Sequence, residues 1–250
     1  MPDLLTLAVA ALGVFLIAFM RGAFGGGFAI IGIPLLSLVL DPIAAGAVLA
    51  PMFIAMDIFA LRYWSPGTWS KPDGRLLVPT VVIGIAVGFL LMRAIDGRLT
   101  AIAIALITLA FAGQWFLGGG RPQTMPRSTA KALLCGTGGG LTSMMAHSGG
   151  PPIAMYLLPL GLPKAVYAGT TSLVFTAANL AKVGPWLVLG QPNRPMWILM
   201  ALCLPAVPLG VHVGWRLHER LSQQALYRAC YGLLVVTGLK LLWDGVRGYL

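Results

Sequence analysis

A chain of 250 residues that is 58% hydrophobic and 10% charged, with a mean hydropathy of +0.87, is far from a soluble globular domain, in which about a quarter of residues are charged. It reads as an all-α integral membrane protein with length for about eight to ten crossings of about 20 residues each, and little left for a soluble domain. The formal net charge of +10 comes from 17 Lys and Arg scattered singly through loops and helix ends, which suits topology-setting charges and excludes a nucleic-acid surface.

Residues 4–20 form the first apolar run, ending at Arg21 and the cluster Gly25-Gly26-Gly27. An acid, Asp3, and no basic residue precedes it, so it is expected to be retained rather than cleaved as a leader. A second, shorter run covers residues 28–40. One straight helix through both would be about 55 Å long against a hydrocarbon core of about 30 Å, so the chain must break at the glycines. Residues 43–61 follow, then a polar loop, 62–75, with the turn chemistry Ser65-Pro66-Gly67 and Lys71-Pro72-Asp73-Gly74. Runs at 76–92 and 99–117 lead to a linker rich in Gly, Pro and Arg.

Past the linker the series recurs: 131–147 up to a large break, then 153–160, 163–189, 196–212 and 225–243. Gly25-Gly26-Gly27 aligns with Gly138-Gly139-Gly140, and Phe53-x-Ala55-x-Asp57 with Phe175-x-Ala177-x-Asn179. We therefore divide the chain into a first membrane repeat (1–120), a linker (121–130) and a second repeat (131–250), with broken or re-entrant helices at the glycine-rich motifs. Five segments per half make the repeats inverted; four, with 28–40 and 153–160 re-entrant, make them parallel. Under the ten-segment count Arg21 falls among the charges of the heavier, cytoplasmic side and Lys182 among those of the other.

Glycine runs at a helix break expose N–H groups and admit close approach, which suits an anion. Irregular backbone at membrane depth is tolerated only where protein or a cavity satisfies it. This makes Gly25, Gly26, Gly27, Gly138, Gly139, Gly140, Gly149 and Gly150 substrate-binding candidates, against the alternative that they only allow close helix packing. His147 and Ser148 lie in the larger break, where imidazole could donate to an anion or carry a proton. Thr142, Ser143, Thr170, Thr171 and Ser172 supply hydroxyls, each of which could instead bond back to its own helix. His147, Asp57 and Arg21 are the coupling candidates, with a helix-end ion pair or snorkelling as the alternatives for the last two. His212 and His218 are expected to be solvated, and the seven Trp residues to form an interfacial belt. Cys135, Cys203 and Cys230 have no C-x-x-C spacing and read as small buried hydrophobes, not as a disulfide framework or metal site.

The paired motifs GAFGGGFAIIGIP (22–34) and GTGGGLTSMMAHSGGPP (136–152) resemble those of the TauE/SafE sulfite exporter family. The resemblance covers nearly the whole chain. It implies a multi-pass protein of the bacterial inner membrane that exports small sulfur-containing anions, such as sulfite or sulfoacetate-like organosulfonates, coupled to a proton or ion gradient. An anion channel with the same breaks lining a pore is the alternative. An enzyme is not expected, because neither break holds a cysteine and no carboxylate or metal-ligand cluster joins His147. A nucleotide-binding G-x-x-x-x-G-K-[ST] loop is absent, and no cofactor is implied. The expected partners are the small anion and the lipid bilayer, with self-association into a homo-oligomer left open.

Overall fold

The structure is a computed structural model that describes residues 3–27, 36, 38–40, 42–91, 97–118 and 124–247. Among these residues the chain is helical: α1 (Leu4–Phe24), α2 (Pro42–Ala60), α3 (Lys71–Leu91), α4 (Gly97–Leu117), α5 (Thr129–Ala146), α6 (Gly150–Leu157), α7 (Lys164–Gly190), α8 (Arg194–Cys203), α9 (Ala206–Arg220) and α10 (Gln223–Arg247). Within the described residues, six helices are long and apolar enough to cross a membrane: α1, most of α2, α3, α7, the α8–α9 stretch Arg194–Arg220, and α10. The expected run at 28–40 lies mostly outside the described residues.

Capping chemistry sets several boundaries. The Asp3 carboxylate accepts from the Thr6 N–H at 2.6 Å and starts α1. Ser128 accepts from the Lys131 N–H at 3.3 Å at the head of α5, and Asn193 from the Met196 N–H at 3.1 Å at the head of α8. Each bond satisfies a donor that has no partner within its helix. The expected loop 62–75 is shorter than its composition suggests, because Lys71-Pro72-Asp73-Gly74 forms the first turn of α3. Proline is well placed there, where its missing N–H costs nothing. Pro51, Pro79 and Pro185 lie inside α2, α3 and α7, as neighbouring membrane helices allow.

The closest helix pairs are α1 with α9, α3 with α5, and α4 with α10, while α7 packs on both α2 and α3. Two of these crossings are built on glycine. A Cβ on Gly84 would land on the Thr137 carbonyl and one on Gly140 on the Val81 carbonyl; likewise Gly22 meets Val211 and Gly214 meets Phe19. Without water-driven burial between helices in lipid, such backbone approach is a main source of packing energy. The contacts also fix direction. Gly136 meets Thr80, Gly140 meets Gly84, and Gly88 meets Met144, so α3 and α5 run parallel. Gly210 meets Phe15 and Gly214 meets Phe19, so α1 and α9 do too. Asp57 reaches Asn179 and Gly46 meets Trp186, which makes α2 and α7 antiparallel.

The triple glycine 138–140 does not interrupt its helix. α5 runs unbroken from Thr129 to Ala146, and the break comes at His147, whose φ of 49° is left-handed. A glycine costs a helix only about 1 kcal/mol, whereas an unpaired backbone group in hydrocarbon costs several. The helix therefore persists; the missing side chain of Gly140 serves contact with α3, while Gly138 and Gly139 face Pro152 and Ile153 of α6. Gly140→Leu is expected to push α3 and α5 apart and destabilise the protein by about 1–3 kcal/mol, read as a lower unfolding midpoint in detergent.

Among the described residues two large buried apolar clusters dominate the core, and each draws on both halves of the chain. One combines Leu77, Val81 and Ile85 of α3 with Met144, Ile153, Tyr167 and Leu234; the other combines Val14, Leu49 and Met56 with Leu199, Val207 and Val211. Cys203 and Cys230 are buried and Cys135 half-buried, all as free thiols.

Candidate functional site

Two interruptions meet inside the bundle. α1 ends at Arg21 to Gly25 with the Gly25 N–H on the Arg21 carbonyl, and Gly25, Gly26 and Gly27 have φ of 76°, 118° and 88°. Three successive left-handed residues peel the chain off the helix axis, and only glycine takes that conformation without strain. From the other half, α5 closes with the Ser148 N–H on the Thr142 carbonyl at 3.1 Å, and α6 restarts at Gly150. A Cβ on Gly150 would overlap the Gly27 carbonyl, so the breaks are in contact.

Where they meet is a small cavity lined by Ile17, Met20, Arg21, Gly26 and Gly27 from the first half together with Phe53 of α2, and by Ser143, His147, Phe175, Asn179 and Lys182 from the second half. It holds about 20 Å³, room for about one water. An anion of several heavy atoms enters only if these side chains move.

The walls carry charge. Arg21 is 4% exposed, Asp57 2% and Lys182 2%. Arg21 is ion-paired with Asp57, reaches Thr176 Oγ1 at 3.4 Å, and lies 5.9 Å from the Phe175 ring centre. Asp57 also accepts from Asn179 Nδ2 at 2.9 Å. Lys182 Nζ donates to Ser143 Oγ at 3.1 Å, is within 3.1 Å of His147 Nδ1, and sits 4.6 Å from the Phe53 ring centre. An ammonium, which has three donors and no acceptor, matches these three neighbours. His147 is wedged between Phe53 at 5.5 Å and Trp186 at 4.6 Å, and its Nε2 is buried with no partner among the described residues. Two cations thus face one carboxylate. Buried charges are retained in membranes mainly where they serve a pathway or a ligand.

Of the residues singled out from sequence, Arg21, Gly26, Gly27, Ser143 and His147 line this cavity and Asp57 anchors it. Gly25 caps α1, Gly150 forms the contact between the breaks, and Gly149 packs on Gly139 and Ser143 of α5, but Gly138, Gly139 and Gly140 lie within α5. Ser148 is buried beside His147. Thr142 bonds back to the Gly138 carbonyl at 2.9 Å. Thr170 Oγ1 accepts from the Ser70 N–H at 2.7 Å, and Thr171 and Ser172 are buried away from the cavity lining.

Lys182 was missed as a site residue. It reads as a topology charge, yet it is buried three residues after Asn179 on the same helix. Its place inside the apolar run 163–189 was the available signal. Arg21, counted with it as a loop charge, is internal for the same reason. His218, expected in solvent, is buried with Nδ1 2.7 Å from the Ala23 carbonyl and its ring against Trp64. Trp64 and Trp186 leave the expected belt for the interior; Trp64 Nε1 donates to the Arg21 carbonyl at 3.3 Å. With a partner for its N–H, the Trp64 indole is as good a core residue as an interfacial one, while Trp186 packs on the His147 ring.

A second polar cluster centres on Asp73, fully buried at the start of α3. Its carboxylate accepts from Ser70 Oγ, from Tyr156 OH at 2.8 Å and from Arg127 Nε at 3.1 Å, tying the linker and α6 to α3. The carboxylate holds the Arg127 guanidinium above its ordinary value. Tyr156→Phe is expected to cost about 1.5–3 kcal/mol, the value of a hydrogen bond to a charged group, and a denaturant titration in detergent would read it.

A multi-pass helical bundle that gathers buried cations where two interrupted segments meet is built as a membrane transporter. The family model for the sulfite exporter TauE/SafE matches residues 10–241. The chain belongs to that family, whose members are membrane transporters of the sulfite and anion exporter type and not enzymes. It has no significant match among curated proteins or among solved structures.

Proposed function

We propose that this protein is a secondary carrier that exports small sulfur-containing anions, sulfite or organosulfonates, across a bacterial inner membrane, with the anion held between Arg21, Lys182 and His147. The observation that carries the reading is the pair of buried cations, Arg21 and Lys182, with the single carboxylate Asp57 beside them where Gly27 meets Gly150. A buried excess of positive charge is costly unless an anion offsets it. The small size of the cavity, about 20 Å³, favours a carrier over a continuous pore, since a carrier must enclose its ligand between the two access states.

We read the halves 1–120 and 131–250, joined at 121–130, as an inverted pair. Support comes from the antiparallel packing of α2 on α7, the helices that carry the matched Phe53-x-Ala55-x-Asp57 and Phe175-x-Ala177-x-Asn179, with Asp57 on Asn179 at corresponding positions. Inversion places two structurally equivalent breaks at one point, and rocking of one half against the other then exposes that point to either side. Coupling to a proton or ion gradient would supply the energy.

Protein reconstituted into liposomes and loaded with radiolabelled sulfite tests this. The expected result is saturable efflux that follows an imposed proton gradient. Large unitary currents on a voltage-clamped bilayer would favour a channel, and no flux of sulfite or of any organosulfonate would refute the transporter assignment for this substrate class.

A further inference from the structure

The charge inventory of the cavity goes further than the identity of its ligand. Lys182 Nζ donates to Ser143 Oγ, lies 3.1 Å from His147 Nδ1 and faces the Phe53 ring, the surroundings of a charged ammonium. An ammonium can only donate, so the imidazole beside it is the neutral form that offers Nδ1 and carries its proton on Nε2, a buried atom without a partner among the described residues. Arg21 is a guanidinium paired with Asp57, and Asn179, which donates to Asp57, is neutral. Residues 28–35, which continue the chain from Gly27, contain no ionisable side chain. His218 of α9 is engaged with the Ala23 carbonyl. The cluster of α1, α2, α5 and α7 therefore carries one net positive charge, with Asp57 deciding that it is one and not two.

We infer that Asp57 sets the valence of the transported anion: the site takes one negative charge, so a monoanion crosses alone and a dianion crosses only with a proton. This rests on the carrier reading above. In a cavity with room for about one water, every uncompensated buried charge carries a desolvation penalty. A monoanion such as an alkanesulfonate neutralises the site. A dianion such as sulfite leaves one negative charge in excess, which a proton removes, carried either on the anion or on Asp57. Both routes give the same balance of one proton per dianion. Asp57 also competes with the ligand for the Arg21 guanidinium. As the anion draws Arg21 away, the carboxylate loses the cation that keeps it ionised and becomes the natural acceptor of that proton.

The test uses the full-length protein in liposomes containing an internal pH dye, with the membrane potential clamped. The probes are methanesulfonate, which stays singly charged throughout the working range, and sulfite at a pH where the dianion predominates. The wild-type protein is expected to move methanesulfonate with no proton and sulfite with one proton per anion. In Asp57→Asn, which keeps an acceptor for Asn179, the proton is expected to drop out of the sulfite flux. The preference for methanesulfonate over sulfite dianion is expected to fall about tenfold, as removal of one buried countercharge implies. Sulfite crossing the wild-type protein without a proton, or an Asn variant with the wild-type ratio and proton count, overturns the inference. If the variant does not fold, the wild-type proton count decides alone. If the wild-type protein moves neither anion, the carrier reading fails, and this inference fails with it.

Discussion

Lys182→Met is expected to leave a folded protein that has lost transport, with anion flux down about 100-fold or more, the scale set by removing one member of a buried charge–ligand contact. Methionine matches the length of the lysine stem and packs well against the Phe53 ring. Burying an apolar side chain where an ammonium stood is neutral or stabilising once the charge is gone. Its former acceptors, Ser143 Oγ and His147 Nδ1, are close enough to one cavity to be served by water or by each other. Flux of labelled sulfite and the unfolding midpoint, measured on the same preparation, check the pair of outcomes. Lost stability with proportionate loss of flux would mean that Lys182 is structural; full flux without the lysine would remove it from the site.

Arg21→Met has the opposite signature. It strands Asp57, 2% exposed, with Asn179 as its remaining donor. An uncompensated buried carboxylate costs about 3–5 kcal/mol, so a large fall in stability accompanies the loss of transport. The double variant Arg21→Met, Asp57→Asn removes the stranded charge while keeping an acceptor for Asn179, and is expected to recover most of the stability and none of the transport. The non-additivity is the measurement, since residues in one ion pair couple where distant ones do not. Additive losses would show that Arg21 and Asp57 act independently. The contrast with Lys182 follows from the partners: one cation holds a charge that cannot be left alone, the other only neutral groups.

These two cations mark how far the residues could be read without coordinates. That Arg21 stands at the end of an apolar run beside three glycines was legible, and so was its candidacy for the site. Lys182 sits in a comparable apolar run, and the Gly184-Pro185 beside it stays inside α7 without breaking it. The break it serves is that of His147 on another helix, 35 positions away along the chain. Chain-local patterns carry no trace of such a pairing. The same limit explains Gly138 to Gly140: composition marks a weak helix, but whether a weak helix breaks depends on what packs against it, and here α3 holds it straight.

By itself the sequence determined the membrane class, most of the helices, the two glycine-rich breaks and the place of His147 in the second of them, because hydropathy, capping and glycine chemistry are local and act the same way wherever the chain goes. Only the tertiary structure decided which break glycines line a cavity, that Asp57 answers Arg21, that Lys182 turns inward, and that Trp64, Trp186 and His218 are core. The reason is physical: inside a bilayer a charge or a bare carbonyl is stable only against a specific partner, and partners are chosen by how the helices cross, which distant residues settle together.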